Sequence, residues 1–232
     1  MKASVTTRER IVRISLRLFN EQGERSVSTN HIAAAAGMSP GNLYYHFPNK
    51  QQIVAVLVAE YHARVRHALL QPARSVPGIE RLGDCLSGVI SALWDYRFIY
   101  RDLEHLLQAD EHLAAAHRGF STDCLRGGRT LLEELCAAGL LEMTPQAQQA
   151  MAINAWLILT SWVRYLYTTL PTPAAITSAS VRRGAWQALG LLEGAVTPRA
   201  ALAVTALMDE FKGGKGPRWE SPALAGVSGT SA

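Results

Sequence analysis

Apolar residues recur every three to four positions along almost the whole chain, and no stretch alternates apolar and polar residues as a half-buried strand would. The pattern predicts an all-α fold. A first helix is expected from about Thr6 to Gln22, with Ile11, Ile14, Leu18 and Phe19 as its core stripe and Arg10, Arg13 and Arg17 on another face. Gly23 ends it. A short helix over about Ser28 to Ala36 stops at Gly37, which can take the left-handed conformation of a helix C-terminus. Ser39-Pro40 opens another short helix as N-cap and first residue. A longer one runs from Asn49-Lys50 through Ile53, Val56, Leu57, Tyr61 and Val65 to about Gln71. Pro72 and Pro77 bracket a linker between two helical units. Beyond it, helices are expected over Gly78 to Tyr96, Phe98 to Leu107 and Glu111 to Ala138, with Gly119 a candidate bend. Three more follow: Thr144-Pro145 to before Pro171, Thr177 or Ser178 to near Gly194, and Thr197-Pro198 to about Lys212. The Gly-, Ser-, Pro- and Ala-rich tail from Gly213 has the composition of a disordered segment.

Residues 28 to 50 hold the chemistry. Helix, glycine turn, helix is the outline of a DNA-reading helix-turn-helix. The second of these helices is too polar and aromatic for a core helix: Asn42, Tyr44, Tyr45 and His46 surround one apolar anchor, Leu43, and Lys50 follows just beyond. Leu43 and Phe47 are read as core, and His31 as a capping or solvated residue.

Charge supports that outline. The net charge is only +4, yet residues 1 to 70 hold nine Lys/Arg against four acidic residues, a balance of +5, which leaves −1 for the rest. Positive charge confined to the segment with the motif suits a polyanion partner. Cys85, Cys124 and Cys136 form no CxxC pair, which fits reduced thiols in a cytoplasmic protein. The most apolar stretch, Met151 to Val163, contains Asn154 and is too short to span a bilayer, so no membrane partner is expected. His105 and His112 stand seven apart, but Ala109-Asp110 breaks the helix between them and no third ligand has suitable spacing, so no metal or cofactor is expected. No phosphate-binding glycine loop, nucleophile elbow or convincing carboxylate pair suggests an enzyme.

The N-terminal pattern resembles the TetR family of bacterial transcriptional regulators. The resemblance rests on the Arg-rich first helix with Leu18-Phe19, the Gly23 turn, Ser28 to Ala33 and Ala36-Gly37-Met38-Ser39. Gly41, Leu43-Tyr44-Tyr45-His46-Phe47 and Asn49-Lys50 complete it, over roughly residues 8 to 60. It implies that Thr29 and Asn30 reach phosphate and a base edge, and that Pro40, Gly41 and Asn42 meet bases in the major groove. Tyr44, Tyr45 and His46 would touch the backbone, and Lys50 would bind phosphate. These roles agree with the chemistry: Asn pairs bidentately with adenine, and Tyr hydroxyls and Lys ammoniums bond phosphate oxygens. Gly41 offers no side chain to a base.

The implied organisation is a helix-turn-helix DNA-binding domain at 1–49, a connecting helix at 50–71, a helical ligand-binding and dimerisation domain at 72–212 and a tail at 213–232. Trp94, Phe98, Leu103, Leu107, Phe120, Trp156, Leu159 and Trp162, with Arg101 and His105, are candidates for an apolar effector pocket, though the same residues suit an ordinary core. Val181, Ala185, Ala188, Leu189 and Leu192, with Ala200, Ala203, Val204, Leu207 and Phe211, make stripes that could pair with a second copy or pack within their own domain. The expectation is a homodimeric regulator of a palindromic double-stranded DNA operator, a repressor released by a small molecule. The alternatives are a helical ligand-binding protein or enzyme with an accessory DNA-binding module, and a DNA-architectural protein without a ligand.

Overall fold

The computed structural model describes residues 6–70 and 78–212. The Pro72–Pro77 linker and the tail from Gly213 lie outside them. Among the described residues there are ten α-helices and no strand beyond one isolated bridge between Leu141 and Val196.

The first three helices are α1 (Thr7–Gln22), α2 (Thr29–Ala35) and α3 (Pro40–His46). Local capping explains their boundaries. Thr6 and Glu9 form a reciprocal capping box at the start of α1. In α2 the box is Ser28 with His31: the Ser28 hydroxyl accepts from the His31 amide, and the His31 ring accepts from the Ser28 amide. His31 is therefore a capping residue. At the end of α2 the Met38 amide donates to the Ala33 carbonyl and the Gly37 amide to that of Ala34, a paired closure that needs the φ of 63° at Gly37. The chain leaves that turn directly into α3. Ile11, Phe19, Ile32, Leu43 and Phe47 are all but inaccessible and knit the three helices into one head.

Helix α4 (Lys50–Leu70) runs from the head into the remaining bundle. That bundle comprises α5 (Ile79–Asp95), α6 (Phe98–Ala109), α7 (Glu111–Ala137), α8 (Pro145–Thr169), α9 (Ser178–Gly190) and α10 (Ala201–Lys212). The α7 helix is continuous through Gly119. The last helix starts at Ala201 rather than at Thr197-Pro198, because Thr197 is engaged elsewhere. Its amide donates to the Leu140 carbonyl and its hydroxyl to that of Gly139, closing the end of α7 against the α9–α10 connection.

Small residues let α4 sit close between α5 and α7. A Cβ on Gly88 would stand 2.7 Å from the Ala68 methyl, and one on Gly127 would stand 2.7 Å from Leu70. Polar pairs tie both sides: Arg64 to Asp95 of α5 (2.6 Å) and Arg66 to Asp123 of α7 (2.9 Å). Within the α4–α7 seam the rings of His62 and His117 meet at 3.2 Å, and His62 stacks on Phe120.

Candidate nucleic-acid interface

Helix α3 has one buried side chain, Leu43. The rest of its surface faces outward because Ser39 and Pro40 fix its first turn and Leu43 and Phe47 pin its inner side to the head. The Ser39 hydroxyl accepts from the Asn42 amide at 3.3 Å. Pro40, Gly41 and Asn42 are exposed, as is Asn30 at the start of α2. Nothing lies within 4 Å of where a Cβ on Gly41 would stand, so packing does not require a glycine there.

Two of the expected contact residues brace one another: the Thr29 and Tyr44 hydroxyls lie 3.0 Å apart, joining the start of α2 to α3. Tyr45 is 84% exposed, an uncommon state for a large aromatic, and its ring meets the half-buried His46 ring edge-on at 5.2 Å. Arg8 covers the Phe47 ring at 4.7 Å. Arg10 is exposed, while Arg13 and Arg17 border an open cleft with Arg64 and Arg97.

Lys50 is placed differently from its neighbours in the motif. Its ammonium donates to the carbonyls of Glu24 and Val27, each at 3.0 Å, and lies 2.8 Å from the Glu24 carboxylate. All three N–H groups are directed inward, where they stitch the α1–α2 connection to the start of α4. In this arrangement Lys50 positions the head and does not face outward with Tyr45.

The head is also joined to the α5–α6 elbow. Buried Asn20 donates to the Asp95 carbonyl (2.7 Å) and accepts from the Phe98 amide (3.1 Å), so one side chain satisfies the end of α5 and the start of α6. Phe19 and Phe98 pack beneath it with ring centroids 5.3 Å apart.

The aromatic set expected to line one effector pocket is divided among several places. Trp156 and Leu159 do line an apolar cavity of about 90 Å³, and Phe120 packs against Trp156 at its edge. Arg101, Leu103 and His105 instead border a polar cleft between α6 and α8. Trp162 donates from its indole to the Ser180 carbonyl and lies against Gly184 in the α8–α9 contact, and Phe98 belongs to the elbow. Trp94 is half-buried beneath the Arg97 guanidinium, and Leu107 is half-buried against the core.

Most of the cavity wall is aliphatic, with Leu69 of α4, Leu86 of α5 and Leu189 of α9 among its members, beside the small residues Gly128, Ala152 and Ala188. Sequence reading missed it because it sought bulk, whereas a void forms where facing helices carry little. Burial pushes the two thiols on its wall upward, Cys124 to about 12, so both stay protonated and unreactive as thiolates.

The proposed dimerisation stripes are located just as plainly. Val181, Ala185, Ala188, Leu189, Leu192, Ala200, Val204, Leu207 and Phe211 are buried within the chain itself, where α9 packs on α5, α8 and α10. They therefore present no face to a second copy. Only Ala203 of that set is exposed, beside Leu202, which is 87% exposed. On α8, Leu157 is 55% exposed.

Comparison with known proteins agrees with this architecture. Residues 11–57 match the model for bacterial regulatory proteins of the TetR family, and residues 60–204 match that for a TetR bacterial transcriptional repressor. Over 72 residues the chain is 33% identical to the HTH-type transcriptional regulator AcrR of Shigella flexneri, 31% of this chain and 34% of that protein. The chain thus matches about a third of the length of such a curated relative. A crystal structure of a TetR-family transcriptional regulator from Marinobacter aquaeolei VT8 is 36% identical, with a TM-score of 0.82 over 89% of this chain and 99% of that one. A complex of SmeT with triclosan shares the fold at 17% identity, with a TM-score of 0.57 over 84% of this chain and 93% of that one. The family, AcrR and the Marinobacter aquaeolei protein are regulators rather than enzymes, which sets aside the enzyme alternative. A helix-turn-helix with an outward-facing α3, continued into an all-helical bundle that matches along most of its length, belongs to the TetR family of bacterial transcriptional regulators.

Proposed function

We propose that this chain is a homodimeric repressor that reads a palindromic operator through α3 and releases it when an apolar small molecule enters the bundle. The observation that carries the reading is the α3 surface: one buried anchor, with Asn42 and Tyr45 fully presented and Tyr44 braced by Thr29. Asn42 reads a base edge, with Pro40 and Gly41 set close against the bases. Thr29 and Asn30 reach phosphate and a base edge, and Tyr44, Tyr45 and His46 hold the sugar-phosphate backbone. The division of labour is a reading head at 1–49, a connecting helix and a regulatory bundle, in a cytoplasmic protein.

A seven-residue helix contacts few base pairs, so useful specificity requires two copies on half-sites about 34 Å apart. Among the exposed apolar side chains of the bundle, Leu157 of α8 and Leu202 of α10 are the most exposed, and they are the ones we assign to a partner copy. The cavity of about 90 Å³ holds only a small group without expansion. A larger ligand must therefore spread its walls, and one wall residue is Leu69 of α4, the helix whose other end carries Lys50. The apolar lining favours a ligand of the kind represented by triclosan in SmeT.

The test is a gel shift with DNA from the promoter flanking the chain's own coding region, repeated with apolar metabolites and drugs. A shift that requires both half-sites of a palindrome and that such a compound relieves is expected. Retention of the operator at every compound concentration would reject the effector, and equal binding to shuffled sequence would reject specific reading.

A further inference from the structure

A polar cleft of about 380 Å³ opens where the head meets α6 and α8, apart from the apolar cavity. Its lining includes Arg25 from the turn at 24–26, Arg101 from α6 and Arg164 from α8, with Thr160 and Ser161 beside them. We propose that this cleft binds a small organic anion, a carboxylate or a phosphate ester, through Arg25, Arg101 and Arg164.

Arg101 carries the argument. Its guanidinium meets two parts of the fold: a Cβ on Gly23 would stand 3.0 Å from its Cζ, and the Cζ lies over the Tyr167 ring, 5.0 Å from its centroid. Its Nη1 is buried and has no hydrogen-bond partner among the described residues. Buried donors are nearly always matched, and a planar guanidinium offers its N–H groups in the fork that carboxylates and phosphates accept. Arg25 is exposed and has no acidic partner among the described residues.

Acidic residues border the cleft as well. Asp102 accepts from the Glu24 amide at 3.1 Å, Glu24 meets Lys50 through Oε1 while its buried Oε2 has no hydrogen-bond partner and lies 3.8 Å from the His105 ring, and Glu104 pairs with Arg164 at 2.9 Å. The last pair is widely exposed, 64% for Arg164 and 76% for Glu104, so an entering anion competes with it at little cost. Arg25 and Arg101 have no acidic ion-pair partner among the described residues, and with Arg164 drawn from the rim the three cations outnumber Asp102 and Glu104 in the lining. The volume falls within the range of metabolite pockets, about 300–1,000 Å³. An anion held by Arg25 and Arg101 together would join the head to the bundle directly.

The full chain is titrated by calorimetry at constant ionic strength with inorganic phosphate and, separately, with succinate, chloride serving as the reference anion. One saturable site per chain is expected. The tighter of the two anions identifies the ligand class as phosphate ester or carboxylate. Arg101→Gln and Arg25→Gln should each weaken binding at least about tenfold, and Glu104→Gln should tighten it by freeing Arg164. Should Arg101→Gln fail to fold, Arg25→Gln and Glu104→Gln, both at exposed positions, decide the matter. Binding no tighter than chloride, or unchanged affinity in Arg25→Gln, overturns the proposal. No DNA is present in the titration, so its outcome is independent of operator reading.

Discussion

The Lys50 ammonium and the Glu24 carboxylate, 2.8 Å apart, join the start of α4 to the turn that follows α1. The Glu24 side chain is only 6% exposed and that of Lys50 22%, so removing the lysine leaves a buried charge with little water to replace its partner. Truncating one member of a buried pair costs about 3–5 kcal/mol, and the partial exposure of Lys50 reduces this to about 2–3 kcal/mol. Lys50→Ala should lower stability in urea unfolding by that amount, and Glu24→Gln in the same chain should recover part of it. Because its donors face inward, the salt dependence of operator binding should keep its wild-type slope. A slope smaller by about one unit would show that Lys50 leaves Glu24 for a phosphate.

Asn42 and Tyr45 should separate base reading from backbone anchoring. Asn42→Ala should cost about 1–3 kcal/mol on the cognate operator and relax preference at one base pair per half-site. Tyr45→Phe removes a hydroxyl from a ring that is 84% exposed, so it should weaken binding to all sequences similarly. Competition binding against operators changed at single positions distinguishes the two. A uniform loss for Asn42→Ala would remove it from base reading.

The buried His62–His117 pair predicts a pH dependence of stability. Burial, then the neighbouring His117, then Arg66 hold the His62 pKa down to about 3, and burial lowers that of His117. Unfolded histidines take up protons near pH 6.5, so below that value the unfolded state binds more protons and folding weakens. Stability is complete above about pH 6.5 and declines as pH falls toward 3, by about 2 kcal/mol at pH 5 from His62, with a further loss of the same sign from His117. Urea unfolding between pH 7 and 5 should show this slope. In the His62→Phe/His117→Leu chain, which replaces both partners with apolar groups, the slope should flatten.

Much of the head was legible because its signals are local. Ser28, Gly37, Ser39 and Pro40 set helix ends through neighbours within four residues, and Leu43 was identifiable as the one apolar anchor of α3. What was not legible depends on distant partners. His62 and His117 meet across 55 positions with no shared motif, and Thr197 closes a helix that ended 60 residues earlier. Lys50 illustrates the difficulty within the motif itself. Its place in the sequence suggests phosphate, but Glu24 and Val27 lie where they can take its three donors. The stripe along α9 and α10 carried the same ambiguity, since an apolar helical face looks alike whether it meets its own fold or a second copy.

The exposed leucines of α8 and α10 predict the surface of self-association. Light scattering at micromolar concentration should give a dimer for the wild-type chain. Leu157→Glu and Leu202→Glu should each shift it toward monomer without loss of thermal stability, because both side chains stand in water in the single chain. A dimer undisturbed by either substitution would place the interface elsewhere.

Asn20 should behave as a positioning residue for DNA reading. It is buried, touches the Asp95 carbonyl and the Phe98 amide, and belongs to neither α2 nor α3. Asn20→Ala removes both hydrogen bonds and leaves two backbone groups at the elbow unmatched, a cost of about 2–4 kcal/mol. Asn20→Asp keeps the acceptor for Phe98 but sets a carboxylate against the Asp95 carbonyl, so it should not restore the wild type. The functional consequence follows from the dimer. A head less firmly fixed to α5 and α6 can still dock on one major groove, but two such heads hold the spacing of about 34 Å less faithfully. Asn20→Ala should therefore weaken binding to a full palindrome severalfold while leaving single half-site binding nearly unchanged, measured by fluorescence anisotropy on the two DNAs below the unfolding temperature. Equal losses on both DNAs would mean that Asn20 supports the fold of the head alone and does not set the distance between heads.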